Sequence, residues 1–182
     1  MTGLIVAAVA ACAVVALIVL YNNMVKLRNK VDNAWSQVDV QMQRRFDLIP
    51  NMVETAKGYA VHESKTLEGV TAARSAFATA TDARGKMAAD TALTGALRGL
   101  FAVSEAYPEL KADENFRQLS AELSDTEDKI SYMRQSYNDT VMKYNTAIQT
   151  FPAVLFAKMF GFEERESFDA VAAASDAPRV SF

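Results

Sequence analysis

The chain has 182 residues with 19 basic and 22 acidic side chains, a net charge of −3 and a pI near 5.3. That length allows one domain besides any membrane segment, and the acidic balance excludes the basic surface that a nucleic-acid binder needs. A single cysteine, Cys12, excludes an intramolecular disulfide and a cysteine metal cluster, and the scarcity of glycine and proline favours helix nearly throughout.

Met1 to Val25 holds no charged side chain. At ~1.5 Å per residue, about 25 helical residues exceed a hydrocarbon core of about 30 Å, so residues 1–25 read as one transmembrane helix. A cleaved signal peptide, with Ala8-Val9-Ala10 as its cleavage site, is the rival reading. It lacks a basic leader, and the apolar run continues past that site. Tyr21 falls where an amphipathic ring prefers to sit at the interface, and Lys26, Arg28 and Lys30 follow directly. By the positive-inside rule the short N-terminus lies outside and the rest is cytoplasmic, which predicts a single-pass membrane protein. From Lys26 to Gly58 the charge is +2, while the remainder carries −5, so the membrane-proximal arm is the basic part of an acidic protein.

No proline or glycine interrupts Leu4 to Ile49, which predicts one rod of about 65–70 Å with its first half in lipid and its second in a soluble bundle. Beyond the span, Met24, Leu27, Val31, Ala34 or Trp35, Val38, Met42 and Arg45 or Phe46 recur at helical spacing. Pro50 disfavours helix at Ile49 and suits the first turn of a new one, so a reversal or sharp kink is expected there. A second helix carries Val53, Ala56, Ala60, Leu67, Val70, Phe77 and Ala80, ending at Arg84-Gly85 with the glycine as a left-handed cap. The third, about Lys86 to Ala106, shows Leu93, Leu97, Leu100 and Phe101, and Gly95 and Gly99 leave a flat spot for a close helix crossing. Asp113 is the N-cap of a fourth helix, whose seam runs Phe116, Leu119, Leu123, Thr126, Ile130, Met133, Tyr137, Val141, Tyr144 and Ile148 to a stop at Phe151-Pro152.

The fold class is therefore all-α: an N-terminal transmembrane helix continuing into an antiparallel four-helix bundle of long helices over residues 26–168. The apolar stretch from Ala153 to Phe162 is too short to span a bilayer. It must cover the bundle end, pair with another copy or lie on the membrane interface. The alanine-rich tail, residues 169–182, shows no periodic pattern.

Three segments, Asn33-Ala34-Trp35-Ser36-Gln37-Val38-Asp39-Val40-Gln41, Arg44-Arg45-Phe46-Asp47-Leu48-Ile49-Pro50-Asn51 and Lys57-Gly58-Tyr59-Ala60-Val61-His62-Glu63, resemble the LemA family of small bacterial membrane proteins. Ala106-Tyr107-Pro108-Glu109-Leu110, Tyr137-Asn138-Asp139, Tyr144-Asn145 and Phe151-Pro152 extend the resemblance in order, over about Tyr21 to Phe168. It implies a fold and a membrane address. It implies no reaction, so no catalytic residue, cofactor or metal ligand is carried over.

Candidate site residues are correspondingly few. Trp35, with Asn33, Gln37, Asp39 and Gln41 around it, reads as a core tryptophan or as a binding face, and those amides, if buried, need partners that subunit contacts would supply. Arg44 and Arg45, with Asp47 and near the free amides of a Pro50 helix start, could hold a phosphate or anionic headgroup, or form a salt-bridged turn that locks the first helix to the second. His62, with Tyr59 and Glu63 nearby, invites an acid-base or metal role but lacks the further ligands of a metal site, which favours a structural or interface histidine. The acidic run Glu122, Asp125, Glu127 and Asp128 reads as a solvated face.

The reading these residues favour is a non-enzymatic, membrane-anchored scaffold that self-associates, with the bilayer and further copies of itself as partners. An adaptor docking a membrane protease or signalling protein is the alternative, and a ligand-binding bundle using Arg44, Arg45, His62 and Glu63 is a third.

Overall fold

The computed structural model describes residues 1–60 and 62–175, and among them every regular element is a helix. These are α1 (Thr2–Lys57), α2 (Ser64–Thr79), α3 (Ala83–Ala106), α4 (Pro108–Ala112), α5 (Glu114–Gln149), α6 (Val154–Ala157) and α7 (Phe168–Ser175). The all-α expectation holds. The chain forms two compact units, residues 1–36 with 136–167, and residues 37–135 with those from Phe168 onward.

In the first unit, residues 2–20 of α1 bury no side chain, and helix and hydropathy together make this a candidate membrane span. Met24 and Val31 on α1, and Tyr137, Val141, Tyr144 and Ile148 on α5, are buried, as their spacing predicts. Tyr21 meets Phe160 edge-on at 5.3 Å and Trp35 meets Tyr137 at 5.6 Å, so α1 runs opposite to the chain that faces it. The turn after α6 ends in the left-handed region at Gly161 (φ 71°), with Gly161 N–H donating to the Lys158 carbonyl and Phe162 N–H to that of Ala157. That Schellman-type reversal places Phe162 inward, under Arg28.

In the second unit, one apolar cluster joins Ile49, Met52, Val53 and Ala56 of α1, Leu67 and Val70 of α2, Leu93, Leu97 and Leu100 of α3, Leu110 of α4, and Phe116 and Leu123 of α5. Asp39 pairs with Lys86 and Arg45 with Asp90 and Thr94, so α1 and α3 run the same way. Phe46 packs against Phe77 in a tilted arrangement and takes Arg74 over its ring, while Phe77 meets Lys86 and Thr66 lies beside Gly99, so α2 runs opposite to α3.

Pro50 does not break the first helix. α1 continues through it to Lys57, and the reversal lies at residues 58–63, within which Val61 is outside the described residues. Proline in a helix interior costs about 3 kcal/mol, but Ile49, Met52 and Val53 share one buried face, each worth about 1.5–3 kcal/mol. Burial wins. The missing N–H of Pro50 would leave the Phe46 carbonyl without its helical donor, and Arg74 Nε of α2 donates to that oxygen at 3.4 Å.

Two further expectations are corrected. Gly85 lies inside the first turn of α3 and does not cap α2, which ends at Thr79. Its N–H donates to the Asp82 N-cap carboxylate at 2.7 Å, and a Cβ there would stand 2.9 Å from that oxygen. Gly95 faces open space and Gly99 meets only Thr66 at an ordinary distance, so no close crossing rests on the pair. The stretch after Ser167 begins with helix α7, which buries Phe168 and Val171. Residues 176–182 of the expected tail lie outside the described residues.

If Arg74 replaces the donor that Pro50 lacks, the two positions are coupled. Arg74→Met should lower the unfolding free energy of the detergent-solubilised chain by about 1–2 kcal/mol, and by clearly less in a Pro50→Ala background, where residue 50 has its own N–H. Equal losses in denaturant titrations of both backgrounds would disprove the coupling.

Candidate functional site

Arg45 is the most consequential polar residue of the second unit, because a guanidinium with none of its surface exposed must find its partners inside the protein. It ion-pairs with Asp90 of α3 and with Glu127 of α5, and its Nη1 donates to Thr94 Oγ1 at 3.0 Å. Nη2 also donates to the Asp90 backbone carbonyl at 3.2 Å. Three helices are thereby bound to one side chain. A small cavity of about 160 Å³ opens beside it, lined among others by Leu97, Arg98, Phe101 and Leu123. Burial pushes the Asp90 carboxyl above the usual carboxylate range, and the positive charge of Arg45 opposes the shift without cancelling it.

This geometry separates the pair at 44–45. Arg45 belongs to the core, and its anchorage runs to α3 and α5, where the sequence suggested a lock between the first two helices. Arg44 is exposed. His62 is exposed as well, while Glu63 accepts from Tyr107 Oη at 3.2 Å, so the four groups of a ligand-binding reading do not converge. Tyr59 Oη donates to Asp113 at 2.9 Å, and Asp113 accepts from Phe116 N–H as the expected N-cap of α5. Those bonds, the Phe116 amide first, hold the Asp113 carboxyl below its ordinary range. Both tyrosines therefore staple the 58–63 link to the start of α4 and α5. Among the described residues no cluster of His, Cys, Asp and Glu is placed to hold a metal ion.

The proposed polar face is divided in kind. Asp39 pairs with Lys86 at 2.6 Å. Gln37, Val40 and Arg44 are exposed at helical spacing, with Val40 63% exposed, and beside them Gln41 Oε1 is buried without a hydrogen-bond partner. In the first unit Trp35 is half-buried against Tyr137. Tyr21, Lys26 and Lys30 are exposed, and Arg28 lies over the Phe162 ring at 5.2 Å.

One set of residues was recognisable only as a family motif, without a role. Tyr144 Oη donates to the Glu163 carbonyl at 2.8 Å and Tyr137 Oη to that of Glu166 at 3.0 Å. Asn145 both accepts from Arg165 N–H at 2.9 Å and donates to its carbonyl at 2.8 Å. Residues 163–166 are thus held along α5 by side chains standing in for a backbone partner. Burial raises both tyrosine hydroxyls above their ordinary pKa, so they remain donors.

Removing one partner of the Arg45 pair leaves a buried charge alone. Arg45→Ala should cost about 3–5 kcal/mol of stability, whereas Arg45→Met with Asp90→Leu should recover most of it. A second check follows from the raised Asp90 value. The stability it contributes is fully present below the unfolded carboxylate pKa and lost as pH rises through the folded one. Asp90→Asn keeps an acceptor for Arg45 and should flatten that slope in denaturation measured across pH. An unchanged slope would assign the pH dependence to another group.

Comparison with known proteins follows the same lines. The LemA family profile matches residues 34–182. Protein LemA of Metamycoplasma hominis is 30% identical over 135 residues, covering 71% of this chain and 60% of that protein. Magnetosome protein MamQ 2 of Paramagnetospirillum magneticum and magnetosome protein MamQ of Magnetospirillum gryphiswaldense are each 25% identical over 181 residues, covering 85% of this chain and 66% of theirs. The chain spans less than two thirds of the length of these relatives. With the profile covering most of its length and a 30% identical relative named for the same family, the chain belongs to the LemA family.

Proposed function

We propose that this protein is a non-enzymatic, single-pass membrane protein whose helical domain self-associates into a membrane-bound scaffold. The observation that carries the reading is the outward stripe of α1 in the second unit. Gln37, Val40 and Arg44 recur on one exposed face, and the neighbouring Gln41 carries a buried amide oxygen with no partner. A second copy laid along that stripe would cover Val40 and pair the exposed Gln37 amide and Arg44 guanidinium. A scaffold fits the candidate ligand groups as well, since Arg45 is enclosed by its own ion pairs while Arg44 and His62 face solvent.

The apolar helix supports the anchor, and Lys26, Arg28 and Lys30 support a domain on the cytoplasmic face of the inner membrane. Many copies anchored on one side of a bilayer would organise it in the plane and favour curvature. Vesicles left undeformed by the reconstituted protein would remove that last step.

The full chain in mild detergent should run as a large discrete particle, and a version beginning at Asn22 should show how much of the assembly the span contributes. Val40→Glu alters an exposed side chain, so it should shift the full chain to a smaller mass while leaving the circular dichroism spectrum intact. A monomer for the unaltered full chain would overturn self-association. A stoichiometric heterologous protein recovered with it from membranes would favour the adaptor instead.

A further inference from the structure

The first unit contains a second apolar surface, distinct from the candidate span. From Phe151 to Phe162 the only charged residue is Lys158, yet most of this segment's large apolar side chains face outward. Phe151 is 74% exposed, Met159 69% and Leu155 64%, with Val154 and Phe160 also exposed. The opposite face is docked: Ala153, Ala157 and Phe162 are buried.

What it docks against sets its level along α1. Phe160 and Phe162 meet Tyr21 edge-on at 5.3 and 5.7 Å, and Arg28 stands over Phe162. Tyr21 and Arg28 bracket the point where the uncharged run ends and the basic residues begin. The outward face of the segment is therefore continuous with the exposed apolar surface of α1 and lies at the height of its basic collar.

We infer that residues 151–162 form a second membrane contact, lying in the headgroup–acyl boundary beside the span with Phe151, Leu155 and Met159 directed into lipid. This rests on reading α1 as membrane-spanning. Two features select lipid over another protein chain as the occupant. The exposed side chains extend an apolar surface that already needs lipid, and Lys26, Arg28 and Lys30, which follow the uncharged run at the level of Tyr21, suit anionic headgroups. Gly161 closes the segment in the left-handed turn that returns Phe162 to Tyr21, so the apolar face is held in place by the fold.

The test uses the full chain in vesicles of phosphatidylcholine and phosphatidylglycerol, with a fluorophore on one cysteine at a time. The native Cys12, exposed on α1, reports the span. Leu155→Cys in a Cys12→Ala background reports the segment, and Met142→Cys, exposed on α5, is the aqueous control. Nitroxide lipids labelled near the headgroup or deep in the chain, and iodide in the buffer, are the quenchers. The Leu155 label should be quenched about two-fold more by the shallow nitroxide than by the deep one, as burial ~5–10 Å into the boundary requires. It should resist iodide, while the Met142 label shows the reverse.

A Leu155 label open to iodide and silent to both nitroxides, with Cys12 still quenched by the deep one, would overturn the proposal and leave the span standing. A label shielded from every quencher would overturn it too, and would assign the face to a protein contact. A Cys12 label untouched by the deep nitroxide would overturn the span itself, and the two failures are distinguishable for that reason.

Discussion

A buried guanidinium constrains the second unit more than any apolar contact does. Leucines can slide by a turn and still bury area, but a charge with no exposed surface tolerates few registers. Arg45 requires Asp90, Thr94 and Glu127 at definite heights on α3 and α5, so one side chain aligns three helices. The next residue extends the constraint to the fourth. The Phe46 carbonyl, left without a helical donor by Pro50, draws Arg74 of α2 onto itself, and the Phe46 ring stacks beneath that guanidinium. Specificity of alignment is what such polar contacts supply, while the surrounding Ile49, Leu93, Leu97 and Leu123 supply the bulk of the burial.

The first unit solves a different problem by the same means. Residues 163–166 form no regular element, so their backbone groups need partners from elsewhere. Tyr137, Tyr144 and Asn145 provide them, spaced by seven and one along α5, and Arg165 then reaches Asp32 of α1 at 3.2 Å. A polar ladder takes the place of a packed helix. Here too the sequence signal is a set of residue types that are not apolar.

Periodicity was a good guide wherever burial alone decides. The seam read along the fourth helix is the buried face of α5, with Leu119 and Met133 half-buried, and Met24, Val31, Val38 and Met42 are the buried face of α1. It failed where a single backbone group decides. Pro50 carries a strong local preference for a break, and nothing local announces that a residue 24 positions later will satisfy the orphaned carbonyl. Gly85 looked like a C-cap because an arginine precedes it, yet Asp82 three residues earlier makes it the recipient of an N-cap. Arg45 and Arg44 are identical in type and adjacent. Only the 3.6-residue period separates them, putting Arg45 in line with Val38, Met42 and Ile49 and turning Arg44 outward.

What remains uncovered argues about function more directly than any cavity does. The unit of residues 1–36 and 136–167 leaves apolar side chains exposed along the candidate span and again from Phe151 to Phe160. The other leaves Val40 bare beside an amide oxygen that its own helices do not satisfy. A folded chain that needed only its own interior would have polar residues at these positions, since contiguous exposed apolar surface is an aggregation liability unless something covers it. Arg45, by contrast, turns its charge inward onto Asp90 and Glu127. The proposals of self-association and of a second lipid contact both rest on these exposed side chains, Val40 in one unit and Phe151, Leu155 and Met159 in the other.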